Sequence, residues 1–331
     1  MTDIKWKMEN GINPPAPSGD LQVSSHQPGR ALKVHCIINS HSGAGAAAYR
    51  TAVEQAFAAP NRQPVESVVE VCKRPRDLLA LVRGAVDAGA DIVAAGGGDG
   101  TVSTVANLLV GTPVALGVLP LGTLNHFAKD LGLPLDLRGA VEVICRGRTA
   151  SVDVGEVNGH CFVNNSSIGA YSEMIRIRER WRPKLGKWLA LVISAITVIR
   201  RFPILRLDLE VEGRRLRRFS PLLFVGNNVY GLEWPDMGAR QRLDQGCLTL
   251  LLMREASRLA LLRSALRVLR GQLHLAPEIE ASYLKSLTVR SHRSRLRVAV
   301  DGEMLTLKPP LHYRIRPQAL TVCVPPPRQP A

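Results

Sequence analysis

Aromatic residues are scarce in this chain, 5% of 331 residues, and no segment interleaves rings with Lys or Arg as RNA-reading sheets and single-strand channels do. Nucleic acid is therefore not an expected partner. Acidic residues are also in deficit, 28 against 43 Lys and Arg, which leaves a net charge of +15. A surface of that sign attracts anions, so an anionic membrane and phosphorylated small molecules are the expected classes of partner. Closely spaced cysteines are missing: Cys36, Cys72, Cys145, Cys161, Cys247 and Cys323 form no CxxC and no His–Cys spacing suited to zinc. Reduced, mostly buried thiols are expected. No run of about 20 apolar residues is present, and the first twenty residues lack the apolar centre of a secretory leader. These absences predict a cytoplasmic protein that meets membranes peripherally, without a spanning helix.

What is present is enough apolar content, 46%, for two domains with cores of their own. Residues 1–30 and 325–331, rich in Pro, Ser and Gly, read as flexible tails. From Leu32, short apolar runs (VHCIIN, VESVVEVC, DIVAA, VALGVLP) alternate with helical segments such as RDLLALVRGAVDAG. That alternation predicts a parallel sheet covered by helices. After Gly147 the texture becomes strand after strand, with hairpin turns at Asn158-Gly159, Glu212-Gly213 and Asp301-Gly302. The fold class predicted is α/β with two domains, an N-terminal nucleotide-binding domain on a parallel-type sheet and a C-terminal antiparallel, β-rich, sandwich-like domain.

The chemistry concentrates where DIVAA runs into Gly96-Gly97-Gly98-Asp99-Gly100-Thr101, followed by helical TVSTVANLLV. Glycines let backbone amides approach phosphate oxygens, and a helix N-terminus adds unpaired N–H groups. Thr101 is placed to cap that helix. A carboxylate beside a polyphosphate is repelled unless a cation or a reacting proton lies between them, so Asp99 implies Mg²⁺ or a catalytic water. A second glycine-bearing turn, IINSHSGAG, and a third, VLPLGTLNHFAKDLGLP, follow strands of the same set. Parallel strands deliver such loops to one sheet edge, where Thr123 and Asn125 would present a hydroxyl and an amide. Gly43, Gly45 and Ala47 also satisfy GxGxxA, a weak dinucleotide match because four residues separate it from the strand.

GGGDGT resembles the signature shared by the diacylglycerol kinase catalytic domain, sphingosine kinases, NAD kinases and the related phosphofructokinases. GTLNHFA is similar to the lipid kinase motif GTxNDFA, with His126 where many members carry Asp, and it favours the lipid kinase branch. The resemblance implies ATP and Mg²⁺ as cofactors and a lipid as acceptor. It places ATP against Asn39, Ser42, Gly43, the run Gly97, Gly98, Asp99, Gly100, Thr101, Val102 and Ser103, and Thr123. Cys72 falls where the family has a nucleotide-touching threonine. MGARQRLDQGCLTLLL is similar to a stretch in which the family holds a structural Mg²⁺ through an Asp preceding the Gly; here Gln245 has that place and Asp244 precedes it. The DGE of LRVAVDGEMLTL matches the family's proposed general base, which leaves Asp301 and Glu303 both open.

The implied domains are 31–147, completed by about 305–324, for ATP, and 148–304 for the lipid acceptor. The apolar run 185–199, bounded by Lys184, Lys187, Arg200 and Arg201, is expected as a core helix or as a helix meeting lipid. A second copy of the chain is a further candidate partner. The competing readings are an NAD kinase-like enzyme on a soluble substrate and a membrane-surface lipid binder with a decayed site, the latter resting on Ser40, Cys72, His126 and Gln245.

Overall fold

The structure, a computed structural model, describes residues 23–25, 30–40, 46–59, 64–202, 204–211, 213–231, 238–253, 257–269 and 279–326. They form two compact units. The first comprises Leu21–Val154, His160–Asn164 and Arg316–Ala331; the second includes Gly155–Gly159 and Asn165–Ile315.

The first unit begins with β1 (Val23–Ser25), β2 (Leu32–Asn39), α1 (Ala46–Ala58), β3 (Val65–Cys72) and a short 3-10 turn, Pro75–Asp77. It continues with α2 (Leu78–Asp87), β4 (Ile92–Gly97), α3 (Asp99–Leu109), β5 (Ala115–Pro120), α4 (His126–Asp130) and α5 (Leu137–Cys145). Two strands follow, β6 (Arg148–Val157) and β7 (His160–Phe162). β3, β2, β4 and β5 lie side by side, all parallel. Every residue of β4 and β5 is buried, which is why DIVAA and VALGVLP read as continuous apolar runs rather than alternating ones. The register sets Asn39 beside Cys72 and Gly97 beside Pro120, so the carboxyl ends of all four strands emerge at one edge.

The second unit is antiparallel apart from its helices. It holds β8 (Asn165–Gly169), α6 (Ala170–Arg201), β9 (Leu205–Val211), β10 (Arg214–Ser220), β11 (Leu222–Asn227), β12 (Leu248–Met253) and α7 (Arg258–Leu269). It ends with β13 (Ile279–Leu284), β14 (Ser286–Ser291), β15 (Leu296–Val300), β16 (Glu303–Leu307) and the first residues of β17 (Leu311–Cys323). One sheet runs β13-β12-β11-β8-β15-β16. In the other arrangement β10 pairs β9, β9 pairs β14, and β14 pairs Leu311–Arg314 of β17. The remainder of β17 belongs to the first unit, where Val322 aligns with Leu116 of β5. Asn158-Gly159 and Asp301-Gly302 both take positive φ at the two central positions, the backbone that two-residue hairpins require. Glu212 of the third expected turn lies outside the described residues.

The expected helix over the apolar run proves to be half of a helical hairpin. Gly186 breaks α6 with φ 74° and ψ 175°. A straight helix of 32 residues would be about 48 Å long, yet Arg201 Nη1 is 3.5 Å from Glu173 Oε1. The two arms therefore fold back on each other, and Val198 packs with Ala170 and Ile177 beside Met174 and Trp181. The second arm buries Ala190, Ser194 and Val198 and exposes Trp188, Leu189, Val192 and Ile196. No helix among the described residues is long and apolar enough to cross a membrane.

Candidate active site

The glycine run of the first unit joins β4 to α3. Gly98 takes the N-cap position in an extended conformation, and no side chain caps the helix. That differs from the expected role of Thr101, which lies inside the first turn and accepts a hydrogen bond from Asn39 Nδ2 at 2.9 Å through Oγ1. Val102 N donates back to Gly98 O at 3.1 Å, so the amides ahead of Val102 have no carbonyl partner within the helix and remain available to an anion. Thr101, Val102 and Ser103 are largely buried, so backbone and Asp99 make up most of what this run presents.

Among the described residues nothing accounts for Asp99 or Gly100. The half-buried Asp99 carboxylate has no hydrogen-bond or ion-pair partner among the described residues. At Gly100, which has an ordinary helical backbone, a Cβ would meet no atom within 4 Å. Neither packing nor a special φ demands glycine there, and open space stands over it. Gly97 is different, since a Cβ would lie 2.6 Å from Thr101 Oγ1.

The third loop closes on the first. A Cβ on Gly122 would stand 2.4 Å from the Gly98 Cα, so the two backbones touch. Gly122 was not singled out in the sequence, where PLGT carried only the ordinary signal of a turn glycine. Asn125 adopts φ 51° and ψ 47°. Its Oδ1 accepts from Gly122 N at 3.1 Å, and its Nδ2 donates to Pro120 O and Gly122 O at 3.1 and 3.0 Å. The expected presentation of that amide to a ligand is thus corrected: Asn125 holds the loop from within. Thr123 is exposed and retains its hydroxyl for the outside.

Cys72 stands at the same sheet edge, its thiol buried and donating to Arg74 O at 3.1 Å. Burial, with Asp77 adding, pushes that thiol above its ordinary pKa. Ser42 and Gly43 lie outside the described residues.

In the second unit, Asp301 opens the β15–β16 turn. Asp301 Oδ1 accepts from Asn165 N at 2.9 Å while Asp301 N donates to Asn165 O at 2.8 Å, so this carboxylate ties the turn to β8. Glu303 is exposed and has no partner among the described residues. The supposed metal ligand Asp244 is occupied otherwise: Arg242 Nε and Nη2 donate to its two oxygens at 2.9 and 2.6 Å. Gln245 Oε1 accepts from Val229 N, and Gln245 N donates to Asn228 Oδ1. Among the described residues no three acids, histidines or cysteines converge for a metal. With both its oxygens taken by Arg242, Asp244 does not fit Mg²⁺. Asp99 does, because Mg²⁺ at such sites is held by one or two carboxylates plus substrate phosphates.

Two family models match the chain, the diacylglycerol kinase catalytic domain over residues 33–157 and the YegS C-terminal NAD kinase beta sandwich-like domain over 167–324. A diacylglycerol kinase of Staphylococcus aureus (strain JH9) is 30% identical over 221 residues, 64% of this chain and 68% of that protein. The chain belongs to the diacylglycerol kinase family. It is a kinase of the two-domain architecture that this family uses. The fold agrees with a candidate diacylglycerol kinase from Bacillus anthracis str. Sterne, 23% identical, covering 89% of this chain and 97% of that one with a TM-score of 0.69. Yeast NADH kinase complexed with NADH shares the fold more distantly, with 11% identity, coverage of 93% and 87% and a TM-score of 0.54.

Proposed function

We propose that the chain transfers the γ-phosphoryl group of ATP to a hydroxyl of a lipid in the diacylglycerol, ceramide or long-chain base, or phosphatidylglycerol class. The observation that carries this reading is the pair Asp99 and Gly100, a carboxylate with no partner and a glycine with no packing neighbour among the described residues. The α3 amides bind phosphate oxygens, Asn39 fixes Thr101 behind them, and Asn125 keeps the Gly122 loop closed. Asp99 would hold Mg²⁺, which would neutralise charge on the phosphates. Glu303, exposed and unengaged, takes the acceptor proton as the new O–P bond forms and the bond to the departing ADP breaks; Asp301 positions the turn that carries it. Peripheral membrane association is supported by the exposed stripe Trp188, Leu189, Val192 and Ile196, with Lys184 at one end and Arg200 and Arg201 at the other. An apolar helix face between basic residues suits an anionic bilayer surface.

Purified protein given labelled ATP and Mg²⁺ with diacylglycerol, phosphatidylglycerol, ceramide, a long-chain base and NAD, beside Asp99→Ala, tests this directly. Label in a lipid that is lost in Asp99→Ala is expected. Label in NAD, or in no lipid at all, rejects it.

A further inference from the structure

A cavity of about 370 Å³ opens in the second unit where the end of β8, the start of α6 and the segment before β15 meet. Arg201, Arg293, Arg295 and Arg297 line it, with Ser172 and a single carboxylate, Glu173. Glu173 is already engaged: Arg176 Nε donates to it at 2.9 Å and Nη2 pairs with its other oxygen. Arg176, then Arg297 and Arg201, holds that carboxyl below the usual carboxylate range. Arg201 and Arg297 stand 3.5 and 3.6 Å from it, beyond a good hydrogen bond. Arg293 and Arg295 have no acidic partner among the described residues. Four arginines thus line one concavity whose one acid among the described residues is bonded to Arg176 and shared at longer range with Arg201 and Arg297. Ile168, Leu205 and Leu296 provide an apolar lining beside them.

We propose that this cavity binds a phosphate group. Like charges gathered around one space repel, and an anion with several oxygens relieves that repulsion while accepting paired N–H bonds from planar guanidiniums. A carboxylate offers two oxygens; a phosphate offers three or four. The apolar lining leaves room for the carbon portion of a phospholipid headgroup, and free phosphate shares the same recognition chemistry. The site does not depend on the proposed kinase reaction, and its test reads no turnover.

The variant is Arg293→Ala/Arg295→Ala, in which neither residue holds an ion pair among the described residues. A control, Arg214→Ala/Arg218→Ala, removes the same charge from β10. Inorganic phosphate binding is measured by calorimetry in chloride buffer, and vesicle binding by co-sedimentation with phosphatidylcholine alone and with added phosphatidic acid. With melting temperatures unchanged, the cavity variant is expected to lose about tenfold or more in affinity while the control keeps it. Loss confined to vesicles identifies a lipid headgroup, and loss of inorganic phosphate binding identifies the free ion. Equal binding by wild type and cavity variant, equal loss in both variants, or no binding of either probe by wild type overturns the proposal.

Discussion

The Asn39 side-chain amide, at the last residue of β2, donates to the Thr101 hydroxyl in the first turn of α3 at 2.9 Å. The bond joins two loops at one sheet edge and fixes the start of the helix whose amides face outward. Asn39→Ala removes a part-buried hydrogen bond worth about 1 kcal/mol. A fall of that size in denaturation free energy is expected together with a raised KM for ATP; an unchanged KM would separate Asn39 from nucleotide binding.

Gly100→Ala isolates the ligand from the fold. The added methyl meets no atom of the described residues within 4 Å, and alanine in a helix is better than glycine by up to about 1 kcal/mol. Melting temperature should hold or rise while kcat/KM for ATP drops by at least about tenfold, as a methyl excludes phosphate from the backbone. Retained activity would show that nothing binds over this turn.

Glu303 and Asp301 should divide stability from chemistry. Glu303→Gln is expected to keep the melting temperature and lose about 10²- to 10⁴-fold in kcat. Asp301→Ala gives up the bond from Asn165 N and places alanine at φ 46°, so its unfolding free energy should fall by about 1–3 kcal/mol. The reverse pattern would reassign the base.

Asp244→Asn should act on stability alone. It breaks a two-bond pair with Arg242 whose carboxylate side chain is 7% exposed, a loss of about 3 kcal/mol when one partner is removed. Mg²⁺ activation curves of wild type and variant should superimpose. A shifted curve would make Asp244 a metal ligand after all.

Alkaline conditions should weaken the first unit. Burial pushes the Cys36 and Cys323 thiols up to about 12 and Cys145 up to about 11, whereas an unfolded thiol titrates near about 8.5. Between those values the unfolded chain has lost protons that the folded chain keeps. The stabilisation is complete below about pH 8.5 and declines as pH rises, by about 1.4 kcal/mol per unit for each such group. Urea midpoints at pH 7.5, 9 and 10 should decrease in order; a flat series would mean these thiols are open to solvent.

Much of the fold was legible because its signals are local. Buried β4 and β5 appear as unbroken apolar runs, and Asn158-Gly159 and Asp301-Gly302 name their own turns. That the loops after parallel strands share one edge followed from the strand-helix alternation, whereas Asn39 and Cys72 were placed there by the family resemblance, and the register sets them side by side. What escaped depends on side-chain orientation, which residue pattern does not specify even between near neighbours. Arg242 lies two residues from Asp244, but only the folded chain shows its guanidinium closing both oxygens. The amide of Asn125 could face either way until its loop was seen to consume it. Gly186 gave no warning of a hairpin, since one glycine within a helical pattern is compatible with a continuous helix. Arg201 is about ninety residues from Arg293, Arg295 and Arg297, and the sequence gives no sign that they line one space.

The contact of Gly98 with Gly122 is not symmetric. A methyl on Gly122 collides with the opposing Cα at 2.4 Å, whereas one on Gly98 reaches its neighbour at 3.5 Å, an ordinary separation. Mutational drift at this locus is accordingly one-sided: an alanine can be tolerated at Gly98 without parting the loops, and a scan of all substitutions should leave position 122 nearly blank.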